Sequence, residues 1–192
     1  MQKRILLVED EAIVRMDIAM LLKDAGCSVV GEAGNGEEAV ELVHERQPDL
    51  IIMDIKMPKM DGLKAGRIIS QKAAIPILFL TAYSQQEFIN KAKDSHAVGY
   101  LVKPIAKERL IPAVEMALHQ GEVVKKLQTK VDQADKRLKS RKQTEQAKGL
   151  LMKQFGYSEE AAYNKLRKIS MNKQVPMAKV AVKVLEKYAS KA

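Results

Sequence analysis

The 192-residue sequence contains a single cysteine, Cys27, only three histidines, His44, His96 and His119, and no long apolar run. One thiol cannot close an intrachain disulfide, so a reducing compartment, the cytoplasm, is the expected home. The histidines fall in separate predicted elements without metal-ligand spacing and are assigned no function. Lys3 and Arg4 make the start basic, but the apolar stretch at residues 5–8 stops at Glu9, Asp10 and Glu11. That is too short for a signal peptide or a membrane span, and no membrane partner is expected.

Charge is abundant and unevenly placed. Residues 1–120 hold 15 basic against 17 acidic side chains, net −2, whereas residues 121–192 hold 18 against 7, net +11. A basic end of this size points to a polyanionic partner, because each neutralised phosphate releases condensed counterions. A solvated lysine-rich surface is the plainer alternative.

Short apolar runs at residues 5–8, 29–30, 50–53, 77–80 and 98–102 alternate with helical patterns. Ile13, Met16, Met20 and Leu21 mark a face of the first helix, and Ala39, Leu42 and Val43 a face of the second. The alternation predicts βαβ units: an α/β, doubly wound parallel five-stranded domain over residues 1–120, with five helices. Its functional residues should stand just after the strands, at the topological switch point. Glu9 and Asp10 follow the first strand there, and Asp54 ends the third. Clustered carboxylates repel unless protonated or holding a cation, and a few oxygens suit Mg²⁺. Thr81 adds a hydroxyl after the fourth strand and Lys103 an ammonium after the fifth, the set that phosphoryl transfer needs. The segment Gly34-Asn35-Gly36-Glu37-Glu38-Ala39 imitates a dinucleotide fingerprint but follows the second strand, and Asn-Gly reads as a tight turn before a helix.

Four motifs stand in order: E-D-E at Glu9, D-I-K-M-P-K-M-D-G-L at Asp54, T-A at Thr81 and K-P at Lys103. Through them residues 3–120 resemble the flavodoxin-like receiver domain of two-component response regulators. The resemblance implies that Asp54 accepts a phosphoryl group from a sensor histidine kinase. It implies that Glu9, Asp10, Asp54 and the Lys56 main-chain carbonyl hold Mg²⁺, and that Thr81 and Lys103 contact the phosphoryl oxygens. Thr81 and Tyr100 become switch residues, Lys103-Pro104 a cis peptide bond, and the protein a regulator rather than an enzyme. Glu9 stands where many relatives have Asp, while Lys56 and Tyr83 hold positions that tune phosphoryl lifetime.

Beyond Gly121, Val124, Leu127, Val131, Ala134 and Leu138 alternate spacings of three and four. This is a short coiled-coil seam, which makes residues 121–140 a dimerisation linker, or else one amphipathic connector helix. Residues 141–192 read as a small all-α three-helix output domain. Its first helix carries Ala147, Leu150 and Leu151 and ends near Phe155 and Gly156. The second starts from Ser158 as N-cap, with Ala162, Leu166 and Ile169 inward. The third follows Pro176, with Met177, Val180, Ala181, Val184, Leu185 and Tyr188 inward. Met152, Met171 and Met177 read as core filler.

The segments A-K-G-L-L-M at Ala147, S-E-E-A at Ser158, Leu166-Arg167 and Met171-Asn172-Lys173 resemble the ANTAR module, a helical RNA-binding domain of transcription antiterminators. They are similar in particular to regulators of ethanolamine utilisation. The resemblance implies binding of RNA hairpins in leader transcripts, and the short seam a homodimer favoured by phosphorylation. RNA hairpins are read through splayed loop bases and phosphates. Lys148, Arg167, Lys168 and Lys173 are the candidate contacts and Tyr157 a candidate stacking partner. Each lysine reads equally as solvated surface, and Tyr157 as a half-buried bundle residue. A DNA-reading helix-turn-helix is the rival. Once its inward face is used, however, the last helix presents mainly lysine and no Asn, Gln or Arg for base edges. A receiver acting through proteins alone is the third alternative.

Overall fold

The computed structural model describes residues 2–82 and 97–189. The fourth expected receiver helix, Tyr83 and His96 lie outside the described residues. Contacts divide the chain into two units, Met1–Leu127 and Gln128–Ala192, with the division inside the span expected as the linker.

In the first unit, β1 (Arg4–Val8), β2 (Ser28–Ala33), β3 (Leu50–Asp54), β4 (Ile77–Thr81) and β5 (Ala97–Val102) form one parallel sheet. The order β2-β1-β3-β4-β5 is the flavodoxin-like double winding, with its switch point between β1 and β3. β3 and β4 are buried along their whole length, and β1 in all but its first residue, which explains why they read as unbroken apolar runs. Successive strand residues face opposite sides. Ile5, Leu7, Leu50 and Ile52 pack with α1 (Ala12–Asp24) and the start of α4 (Lys107–Phe155), through Ile18, Leu22, Leu110 and Val114. Leu6, Val8, Ile51 and Met53 pack with α2 (Gly36–Arg46) and α3 (Gly62–Lys72), through Ala39, Ala65 and Ile69.

Helix α1 corrects the sequence reading. Ile13, Met16 and Met20 are exposed, and the buried face is Ile18, Ala19 and Leu22, with Val14 and Leu21 packed beside it. Both stripes have helical spacing on a helix that is apolar around most of its circumference, so periodicity alone does not choose between them. At α2 the turn reading is correct. The Asn35 side chain accepts from the Glu37 and Glu38 amides, at 3.1 Å each, and Glu38 in turn accepts from the Gly34 amide. Amides that would cradle a dinucleotide are thus occupied by the protein's own capping groups.

The expected last receiver helix, linker helix and first output helix are one element, α4, with Pro112 near its start. Between Ala113 and Phe155 the segment holds strong helix formers and no further proline, so nothing stops propagation. Gly121 is no breaker. A Cβ there would fall 2.7 Å from Pro76 Cγ, so glycine lets the helix pass Pro76 closely. Gly156, at φ 67°, follows the last turn and donates to the Met152 carbonyl.

In the second unit the end of α4, α5 (Glu159–Lys173) and α6 (Met177–Ala189) bury Ala147, Leu151, Ala162, Leu166, Val180 and Ala181 together. Ser158 Oγ accepts from the Ala161 amide at 3.2 Å, as a cap should. Ser170 Oγ donates to the Val175 carbonyl at 2.6 Å and ties the α5–α6 loop down. Met152 and Met171 are exposed, contrary to their reading as core filler, while Met177 packs against the core. Among the described residues no helix is long and apolar enough to cross a membrane.

Candidate functional site

Register assembles the site. Val8 pairs with Met53, which sets Glu9 beside Asp54. Asp54 pairs with Leu80 and Thr81 with Val102, which brings Thr81 and then Lys103 to the same edge. The Lys103 amide donates to the Thr81 carbonyl at 2.8 Å, and the Lys103-Pro104 peptide bond is cis. Lys56, in the turn after β3, donates its amide to Asp54 Oδ1 at 3.4 Å. Glu9, Asp54 and Thr81 are buried, and Asp10 is exposed.

Lys103 lies at the centre. Its Nζ donates to Asp54 Oδ2 at 2.6 Å and to Glu9 Oε1 at 2.9 Å. It also lies 2.7 Å from Glu9 Oε2, a charge contact without hydrogen-bond alignment, so Oε2 is buried and without a hydrogen bond. Burial pushes the Glu9 carboxyl above its usual range and the Asp54 charge adds to this, with the Lys103 hydrogen bond opposing. Burial alone would lower Lys103, but hydrogen bonds to Asp54 and Glu9 outweigh it and hold the ammonium above its ordinary value. The site therefore presents a fixed cation against the Asp54 carboxylate.

Glu9, Asp10 and Asp54 each offer an oxygen, and these oxygens lie within 4.8 Å of one another. Three converging carboxylates fit a hard divalent cation.

Two contributors to this site have no signature in the sequence reading. Arg15, on α1, donates from Nη1 to the Glu9 carbonyl and pairs through Nε with Glu32 at 3.4 Å, which anchors the main chain at the first acidic position. Gly62 passes so close to β3 that a Cβ there would fall 2.0 Å from the Asp54 carbonyl oxygen. Its place in the D-G-L segment is a hint of this; Arg15 has none, because its partners come from β1 and β2.

The remaining predicted residues are dispersed. Tyr100 is exposed on β5. Val124, Leu127, Val131 and Leu138 are all exposed along α4, an open apolar row. Arg167, Lys168 and Lys173 are exposed on α5, and Tyr157 is partly exposed before it. Lys148 is a correction. Its Nζ lies 2.8 Å from both Glu145 and Glu159, and these neighbours cover it although it lies near the surface. Hydrogen bonds to those two carboxylates hold the Lys148 ammonium above its usual range, and Lys148 lowers Glu159. It is a bundle tie rather than a cation displayed to a ligand.

Comparison with known proteins agrees with this geometry. The family model of the response regulator receiver domain matches residues 5–115, and that of the ANTAR domain matches residues 132–185. The chain is 44% identical over 184 residues to the transcriptional regulatory protein PdtaR of Mycobacterium tuberculosis, covering 96% of this chain and 90% of that one. It is 41% identical over 120 residues to the chemotaxis protein CheY of Bacillus subtilis, covering 62% of this chain and all of CheY. The signal receiver domain of a modulated diguanylate cyclase from Desulfovibrio desulfuricans superposes with a TM-score of 0.60 at 31% identity, covering 64% of this chain and 98% of that one. With the switch-point carboxylates, the central lysine and both family models on one polypeptide, the chain belongs to the response regulators, with a receiver domain followed by an ANTAR domain.

Proposed function

We propose that this regulator is switched by phosphorylation of Asp54 from a sensor histidine kinase, dimerises through α4 and binds RNA hairpins in leader transcripts to cause antitermination. The observation that carries the reading is the buried Asp54 carboxylate held 2.6 Å from the Lys103 ammonium. Transfer would form an Asp54 oxygen–phosphorus bond as the phosphorus–nitrogen bond of the donor histidine breaks, and the released imidazole takes a proton. Lys103 offsets the charge gathered on the phosphoryl oxygens, and the Thr81 hydroxyl is the hydrogen-bonding partner at the same edge. Glu9, Asp10 and Asp54, with the Lys56 main-chain carbonyl, would hold Mg²⁺, which when bound supplies a further positive charge against the carboxylates and the phosphoryl group. Thr81 and Tyr100 would relay the change. The exposed row Val124, Leu127, Val131 and Leu138 would bury itself against a second copy. The ANTAR match and the net charge of +11 over residues 121–192 support RNA as the output partner. Arg167, Lys168 and Lys173 are the phosphate contacts in this reading, with Tyr157 on a loop base.

The test titrates a paired-hairpin leader RNA against protein treated with a small phosphodonor, with a scrambled-loop RNA and a DNA duplex as controls. The expected result is loop-dependent binding that tightens on phosphorylation in the wild type, with neither phosphoryl label nor tightening in Asp54→Asn. Preference for the duplex, or binding indifferent to the loop, overturns the RNA reading. Stable label on Asp54→Asn overturns the assignment of the phosphoacceptor.

A further inference from the structure

In the second unit a cleft of about 490 Å³ opens among the end of α4, α5 and α6, within the size range of ligand sites. Its apolar floor includes Val180 and Val184, and its rim is Lys165 and Lys173 from α5 with Lys179, Lys183 and Lys187 from α6. All five lysines are exposed, and no aspartate or glutamate lines the cleft. Among the described residues none of the five is ion-paired. The three on α6 stand four apart on one face, where like charges repel in the free helix and a polyanion relieves the repulsion.

At one end of the cleft stands a cluster of rings. Phe155 and Tyr157 are stacked, with centroids 5.8 Å apart and an interplanar angle of 27°, and Tyr188 meets Phe155 edge-on at 5.4 Å. Lys187 Nζ lies 5.3 Å from the Tyr188 centroid. Phe155 is 47% exposed and Tyr157 36% exposed, so flat aromatic surface faces solvent beside the lysine rim. Ring surface next to an unopposed cationic track is what an unstacked nucleotide recognises, the base lying on a ring and the backbone on the lysines. A duplex keeps its bases paired and stacked, and an acidic peptide has no use for the rings.

We propose that this cleft takes a nucleotide splayed from the RNA hairpin loop, its base on the Phe155–Tyr157 rings and its flanking phosphates between the lysines of α5 and α6. The inference rests on the reading of the second unit as an RNA-binding module and assigns the face that binds. It gives Phe155, Lys179 and Lys183 roles that the sequence reading did not, and Tyr157 and Lys173 the roles it expected.

The experiment uses the full chain, phosphorylated by a small phosphodonor, and RNA hairpins with one fixed stem and a randomised loop. A hairpin enriched by the wild type is then synthesised with 2-aminopurine at each loop position in turn. Stacking predicts quenched fluorescence at one position, lost in Tyr157→Leu with about a tenfold or greater drop in affinity, and both restored in Tyr157→Phe. Lys179→Ala with Lys183→Ala should lower the slope of log affinity against log salt by about 1.4, about 0.7 for each single-strand phosphate contact. Lys142→Ala, a surface lysine outside the cleft, should bind as the wild type does. If the wild type enriches a hairpin and the cleft variants bind it unchanged, the cleft assignment falls while the RNA reading stands. If the wild type enriches no hairpin, or a DNA duplex or acidic peptide displaces it at equal concentration, both fall.

Discussion

Lys103 concentrates the chemistry of the receiver site, because one ammonium holds two carboxylates that would otherwise repel. Its removal therefore has two consequences of opposite kind. Lys103→Ala should bind Mg²⁺ more tightly than wild type in a calorimetric titration, since the acidic site loses its resident positive charge. In the proposed function Lys103 senses the phosphoryl group, so the same variant should lose the phosphorylation-dependent gain in RNA affinity. Weaker Mg²⁺ binding would show that Lys103 organises the carboxylates instead of competing with a cation. Lys148 supplies a second test at this scale. Because Lys148 lowers the Glu159 carboxyl, that group contributes stability above its unfolded value, lost as pH falls through the lower folded value. Lys148→Met should melt slightly lower than wild type at neutral pH, and the difference should vanish in acid below the usual carboxylate range. Both partner carboxylates are well exposed, which keeps the effect small. A melting difference that persists unchanged in acid would point to lost packing instead.

At the scale of elements, the strands were legible and the helix faces less so. β3 and β4 are covered on both sides, so any apolar run of that length and composition satisfies them. Helix α1 must choose one stripe, and the choice of Ile18 and Leu22 over Ile13 and Met16 is set by where β1 and α4 place their own side chains. The turn into α3 is decided by space. The Gly62 amide donates to the Ile55 carbonyl at 2.9 Å and the backbones meet without room for a methyl group. Gly62→Ala should cost about 1–3 kcal/mol, as overpacking against unyielding backbone does. Thermal unfolding of the variant checks this, and a melting temperature within a degree of wild type would show that the turn relaxes freely. Because the carbonyl that the added methyl group would crowd belongs to Asp54, the variant should also accept phosphoryl groups more slowly.

At the scale of the molecule, α4 is the unexpected feature: one helix of 49 residues contributes to the core of both units. Its middle stretch carries an exposed apolar row with little else to bury it in a monomer. A seam this short is marginal alone, so a few kcal/mol contributed by the phosphorylated receiver is enough to shift a monomer–dimer balance. Leu127→Asp with Leu138→Asp should give monomers by light scattering with and without phosphodonor, and should weaken paired-hairpin binding by removing avidity. Dimers of the double variant would place the interface elsewhere.

Sequence by itself determined the α/β class, the turn at Asn35 and Gly36, the cap at Ser158, the buried strands and the receiver family, because each depends on local pattern or on motifs kept in fixed order. The four motifs lie scattered from Glu9 to Lys103 yet are individually recognisable. Tertiary structure alone decided which stripe of α1 is buried, that Arg15 holds the Glu9 carbonyl, that Lys148 is tied to Glu145 and Glu159, and that lysines from two helices share a cleft with three rings. The physical reason is common to all four: a charged or apolar side chain reads the same in any sequence. Its role is set by what distant segments bring within hydrogen-bond or van der Waals reach, at separations that periodicity does not encode.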